Sequence, residues 1–505
     1  MRNNEVVIIG SGLGGLVCGA ILSMNGYRVR IYEKNRQPGG CLQTYSRDKV
    51  IFDSGVHYIG GLAAGENLYK VFKYIGILDK LRLKRMDMDG FDHINFNAED
   101  KVYRMAQGRD NFIHTLLADF PDEKDALHAY CDKVSDVCSK FPLYNLRVGD
   151  YEEKQSVLQL NTVDFLRSLT NNERLQNVLA GNNLLYAGVP DKTPFYVHAL
   201  VLNSYINSSW KCVDGGSQIA KWLCRRIREN GGSIIRSTAV KSIQGQGDRV
   251  DHIVLENGEQ VFADHFISNL HPAQTTAMTE SDMLRGAYRS RMRQLENSIG
   301  AFVLNVVLKP GTFPYLNHNY YYHATDDAWA GISYEAAEWP QTYAMYVSAS
   351  SKHETFADSL SVMTYMRYDE MTPWQHTFNT DLQENSRGAD YDAFKAQKAV
   401  QLMDCVEKKF PGFRNCVQSY YVATPLSYRD YIGTGDGSMY GIQKDSNDPL
   451  RTMVSARTKL SNLYLTGQNL NLHGILGVTI SSVITSAELL GMDFLVNEIN
   501  QSIHT

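Results

Sequence analysis

The feature that most constrains this chain is Gly10-Ser11-Gly12-Leu13-Gly14-Gly15, a G-x-G-x-x-G turn set between two contrasting patterns. Before it runs Val6–Ile9, continuously apolar, as a strand buried on both faces of a parallel sheet must be. After it, Leu16, Ala20, Ile21 and Met24 recur at helical spacing until Gly26, and Arg28–Glu33 then reads as a second strand. In such a βαβ unit the glycines allow a tight turn, close approach of backbone to a pyrophosphate, and close helix–strand packing. The helix N-terminus offers its free N–H groups and partial positive charge to the phosphates. Glu33 lies eighteen positions beyond Gly15, at the end of the second strand, where a carboxylate can accept both ribose hydroxyls. The pattern therefore predicts a dinucleotide site.

NAD and FAD share that fingerprint, and further residues separate them. Gly39-Gly40, followed by Cys41-Leu42, lets the chain pass close under a larger cofactor. Asp53-Ser54-Gly55 follows, and Leu463–Thr466 forms a short strand running into Gly467-Gln468. Gly474–Val478 then leads into a helix read as Thr479–Leu490. An NAD domain needs none of these, so FAD is the expected cofactor.

Nucleotide-domain texture recurs in separated blocks. Gly215-Gly216-Ser217 opens a helix that ends at Gly231-Gly232, followed by a strand Ser233–Ile243. Val250–Leu255, an Asn257-Gly258 turn, Gln260–Phe262 and an apolar strand His265–Ser268 come next. The expected fold is α/β: an FAD-binding Rossmann-like (GR2-type) domain built from 1–80, 206–275 and 456–505. It is interleaved with an α+β substrate domain built from 81–205 and 276–455. The first of those two segments is rich in helical patterns and the second in strands such as Gly300–Lys309 and Tyr343–Ala349.

Composition excludes some classes. With 505 residues and a formal charge of −5, the chain has no electrostatic footprint for nucleic acid. Its eight cysteines show neither C-x-x-C pairs nor metal-ligand spacing, so reduced thiols and no metal site are expected. Arg2 and Glu5 precede a short apolar run, Val6–Ile9, that stops at Gly10 and does not suit a signal peptide, and no window reaches membrane-spanning length. A cytoplasmic protein follows, with peripheral membrane contact through an apolar surface in 80–205.

The motifs together resemble the flavoprotein superfamily of phytoene desaturases, carotenoid isomerases and retinol saturases. The likeness is greatest to the last two, through Phe52–Gly61, Thr424-Pro425-Leu426, Tyr440-Gly441 and the Leu463–Gly491 ending. The resemblance implies that Gly10, Gly12, Leu13, Gly14, Gly15, Glu33, Lys34, Gly39, Gly40 and Cys41 bind FAD. It sets the Val240 backbone against adenine and Gly467, Gln468, Gly477 and Val478 along the ribityl chain and flavin. Gln468 departs from the acidic residue that many relatives carry there. A helix starting near Gly477 would aim its positive N-terminus at the flavin and stabilise added negative charge.

The chemistry implied is saturation, desaturation or isomerisation of C=C bonds in a lipophilic polyene or isoprenoid. It needs hydride exchange, a proton and a dry apolar tunnel. His57, Tyr58 and His473 are the candidate proton-handling residues, and Lys309 reads as an exposed strand end. No second G-x-G-x-x-G provides an NAD(P)H domain, so electrons come from a visiting donor such as NAD(P)H, a quinone or a partner protein. Two readings compete: a flavin amine oxidase, and a flavin-free prenyl-lipid-binding protein of the GDP-dissociation-inhibitor type.

Overall fold

The computed structural model describes residues 4–97 and 99–503, so Arg2 lies outside the described residues. Val6–Ile9 shows why the first strand is apolar throughout. Strand β1 (Glu5–Ile9) is central in a five-stranded parallel sheet with β2 (Arg28–Tyr32), β3 (Ser233–Ile235), β4 (His265–Ser268) and β5 (Leu463–Leu465), in the order β3-β2-β1-β4-β5. Side chains alternate across a strand. Val6 and Ile8 pack with helices α1 (Leu13–Met24), α2 (Ser217–Glu229) and α3 (Gly474–Leu490). Val7 and Ile9 pack on the other face, against Ile243, Val250, Ile253 and Val261 of an antiparallel meander. Helix α1 is buried from Leu13 to Ser23, because α3, α2 and β2 surround it.

A second sheet has seven strands, with Gly300–Leu308, Ser359–Met366 and Thr342–Val347 near its centre and Val417–Ala423 on one edge. Asp92–Phe96 and Tyr103–Met105 complete its other edge, so the 81–205 segment supplies strands as well as helices. Every strand of the parallel sheet comes from 1–80, 206–275 or 456–505, and every strand of the seven-stranded sheet from 81–205 or 276–455. The chain thus passes repeatedly between two layers.

Two element readings are corrected. Ser233–Ile243 is not one strand: Ser233–Ile235 joins the parallel sheet, and Val240–Gln246 starts the meander after a turn through Ser237, whose φ is +54°. Helix α3 begins at Gly474, five residues before the expected Thr479, because its first turns carry the poor helix formers Gly474 and Gly477 and are held by packing instead. Among the described residues no helix is long and apolar enough to cross a membrane. The large apolar side chains exposed in 80–205 are Met88, Val148 and Tyr151.

Candidate active site

A cavity of about 410 Å³ opens along the C-terminal edge of the parallel sheet. Three groups of residues line it. At one end are Glu33, Lys34, Val240 and Glu256; along the middle are Gly10, Gly12, Leu13, Gly14, Gly39 and Gly40. At the other end Cys41, His57, Tyr58, Gly467, Gln468, His473 and Val478 meet. Two expected binders stand back from the wall. A Cβ at Gly15 would lie 2.2 Å from the Gly10 carbonyl oxygen, and one at Gly477 2.6 Å from the Leu472 carbonyl oxygen. Both glycines therefore serve close packing.

The middle of the cavity suits a diphosphate. Gly10 has a φ of +91°, which turns the chain sharply out of β1, and no side chain caps helix α1. A Cβ at Gly12 or Gly14 would collide with Asn269, at 2.7 and 2.4 Å, so backbone alone fits here. Asn269 went unread in the sequence. Its signal is position: it directly follows β4 at the sheet edge where nucleotides bind. Glu33 is buried, its carboxylate accepting from Ser11 N (2.9 Å), Ser11 Oγ (2.6 Å) and Asn35 N (2.8 Å). Lys34 donates to the Asp430 carbonyl at 2.8 Å, and burial lowers its proton affinity.

The ring end is aromatic. His57 stacks on Tyr346 with centroids 4.3 Å apart, and His473 stacks on Tyr440 at 4.2 Å. Burial holds both imidazoles neutral, at about 4, with the charges of Lys211 and Lys444 adding to the effect on His57 and His473 respectively. His473 Nε2 donates to the Leu185 carbonyl at 3.0 Å, which fixes its tautomer. Tyr58 donates to Asp92 at 2.9 Å and shares a 2.8 Å bond with Tyr321, whose hydroxyl lies 3.4 Å from that of Tyr346. Asp92 also accepts from Asn319 and Asn182, yet burial pushes it up to about 6. This tyrosine network was not legible: Tyr321 and Tyr346 lie on strands of the second sheet, brought to Tyr58 only by tertiary packing.

Asp53 of the Phe52–Gly61 segment accepts from the Gly216 N–H at 2.7 Å, tying that segment to the start of α2, and burial raises it to about 7. It also lines a second cavity of about 600 Å³ with Tyr45, Val303, Tyr421 and Ala423. The two cavities share Gly40, Cys41, Tyr428, Tyr431 and Ile432 in their walls. Lys309 lies outside both, donating to the Asn415 carbonyl at 2.9 Å.

The buried histidines predict an acid-sensitive fold. His57, His323 and His473 titrate at about 4 and His198 at about 3, against 6.5 when exposed. Unfolded chain binds their protons first, so their contribution is complete above pH 6.5 and lost as pH falls toward 4. Asp53 and Asp92, raised to about 7 and 6, act oppositely, losing stability as pH rises through about 4 to 7. Four imidazoles outweigh two carboxyls, so Tm should drop between pH 6.5 and 4. A flat Tm across that window in scanning fluorimetry would contradict the assignment.

The flavin-containing amine oxidoreductase model matches residues 13–297, more than half of the sequence. The chain belongs to that family. As a flavin-containing amine oxidoreductase family member it is an FAD-dependent oxidoreductase, and the cavity fits that cofactor. Glu33 would offer the ribose acceptor, the α1 N-terminus and glycine cradle would hold the diphosphate, and the aromatic end would take the ring. Over 96% of its length it is 26% identical to human all-trans-retinol 13,14-reductase, covering 85% of that protein. Over the same share it is 23% identical to carrot (Daucus carota) prolycopene isomerase, covering 79% of that protein. Among solved structures, putrescine oxidase bound to putrescine superposes with a TM-score of 0.63 at 12% identity, covering 96% of this chain and 99% of that one. A conjugated-linoleic-acid-producing (CLA) fatty acid isomerase from P. acnes superposes with a TM-score of 0.62 at 13% identity, covering 98% and 99%. These two likenesses establish the shared fold.

Proposed function

We propose that this protein saturates, desaturates or isomerises C=C bonds of a lipophilic polyene. The observation that carries the reading is likeness along nearly the whole chain to a retinol reductase and a carotenoid isomerase. The site supports it. Around the ring end stand Tyr58, Tyr205, Tyr346, Met363, Tyr428 and Tyr440, with no carboxylate among the described lining residues there to hold an amine cation. The second cavity adjoins that end across Gly40-Cys41 and gives a long substrate room to lie.

When bound, FAD supplies or accepts the hydride. The protein's part is to exclude water, hold the polyene flat against aromatic walls and handle one proton. His57 and His473, neutral above pH 4, serve as acceptors or packing surfaces rather than as acids. Asp92, which accepts from Tyr58, can take up a proton relayed from the Tyr346 hydroxyl at the cavity wall through Tyr321 and Tyr58, and return it by the reverse path when the hydrogen bonds of the chain flip. NAD(P)H as a visiting donor and a membrane surface as the substrate's source complete the proposal.

The test is anaerobic incubation of the purified yellow protein with all-trans-retinol and with a poly-cis carotene, before and after reduction, followed by chromatography and mass spectrometry. A product differing by two hydrogens, or an isomer of unchanged mass, is expected. Flavin-bound protein that leaves both polyenes untouched but, in a parallel aerobic assay, oxidises amines with dioxygen as acceptor and releases peroxide would restore the amine oxidase reading.

A further inference from the structure

Lys444 is an unusual cation. It is 7% exposed, and its ammonium donates to the backbone carbonyls of Thr452 at 2.9 Å, Leu470 at 3.0 Å and Asn469 at 3.5 Å. Three donors thus meet three carbonyls. The charge that acts on it most is Lys154, of the same sign, and burial with that repulsion lowers it to about 7. Isolated buried charge is costly and persists only where hydrogen bonds fully satisfy it. Two of these carbonyls belong to the loop between β5 and α3, which lines the cofactor cavity at Gln468, Asn469 and His473. The segment before Lys444 grips the same loop, since Ile442 N donates to Asn469 Oδ1 at 3.1 Å. The loop that Lys444 holds runs on into His473, which lines the cavity, and the Lys444 charge adds to the burial that lowers that imidazole.

We propose that Lys444 is a positioning residue for the ring end of the site: its ammonium clamps the 467–472 loop and adds an uncompensated positive charge that favours the electron-rich, reduced form of the cofactor. The charge works in concert with the N-terminus of α3, which opens at Gly474 on the same wall. The inference rests on the FAD reading and on nothing about the substrate.

Two substitutions separate clamp from charge. Lys444→Gln keeps a donor for the carbonyls and removes the charge, whereas Lys444→Met removes both. Below pH 7, where the parent amine is charged, the flavin midpoint potential of Lys444→Gln should lie about 30 mV below the parent's, a tenfold loss of preference for the reduced form in a two-electron couple. In flavin-free protein the His473 imidazole, followed by NMR, should titrate higher than in the parent, while His57, lowered by burial and Lys211, stays put. Lys444→Met should in addition weaken binding of oxidised FAD. A flavin-loaded Lys444→Gln protein with unchanged potential and unmoved His473 overturns the proposal. A Lys444→Gln protein that cannot be purified also overturns it, since the ammonium would then serve folding. A parent protein that takes up no flavin would instead defeat the cofactor reading, with the His473 titration still reporting on Lys444.

Discussion

Glu33→Ala protein is expected to emerge from purification nearly colourless, with FAD bound about a hundredfold to a thousandfold more weakly than in the parent. The carboxylate is buried at the ribose end of the cavity. Hydrogen bonds to a charged group contribute about 1.5–3 kcal/mol each, so losing two to the ribose, each near the lower end of that range, costs about 3–4 kcal/mol. The same substitution strips acceptors from Ser11 N, Ser11 Oγ and Asn35 N, which now converge on Glu33. Melting of flavin-free protein reads that structural loss apart from affinity. Glu33→Gln keeps one acceptor oxygen and should weaken binding by only about tenfold. Parent-like flavin content in both variants would show that the ribose is held elsewhere.

The second large effect falls on folding. Gly15→Ala places a methyl group 2.2 Å from the Gly10 carbonyl oxygen and 3.2 Å from the Ile8 side chain. Both are fixed: Gly10 N is bonded to the Tyr32 carbonyl, and Ile8 is fully buried in the central strand. Neither can yield as the tip of a flexible side chain could, so helix α1 must move off the sheet. A loss of about 3 kcal/mol is expected, seen as a lower urea midpoint, with FAD binding weakened because the α1 N-terminus shifts. Gly286→Ala is the matched control, since a Cβ there meets nothing within 4 Å. Equal midpoints for the two variants would refute the packing role of Gly15.

What the sequence revealed follows from how local each signal is. The βαβ unit was legible because Val6–Ile9, the glycines and Glu33 are contiguous and each is dictated by one neighbour or one ligand group. Strand His265–Ser268 stands where its apolar run placed it. The 233–243 segment misled because two short apolar runs, Ile234-Ile235 and Ala239-Val240, do not show that Ser237 between them turns the chain into another sheet. The onset of α3 misled because packing of Gly477 against Leu472, rather than helix propensity, sets it. At the site, His57, Tyr58 and His473 were read from their nearness to flavin-side motifs. Their partners Tyr346, Tyr440, Asp92 and Lys444 come from other strands and loops, and no sequence spacing reports such meetings.

The interleaved layout bears on how the protein is made. Helix α1 is sealed by α3, where Cys18 Sγ approaches the Ser482 carbonyl across 464 residues of chain, and β4 is covered on its far side by β5. During synthesis the glycine turn and its strand emerge early yet stay without their full cover until residues 463–490 have left the ribosome. Contacts so distant in sequence are slow to form, and exposed parallel-sheet edges aggregate while they wait. An early encounter with FAD, which at the cavity would touch β1, β2 and the later loop together, would shorten that exposure, so flavin supply during expression should govern how much of the chain reaches its native state.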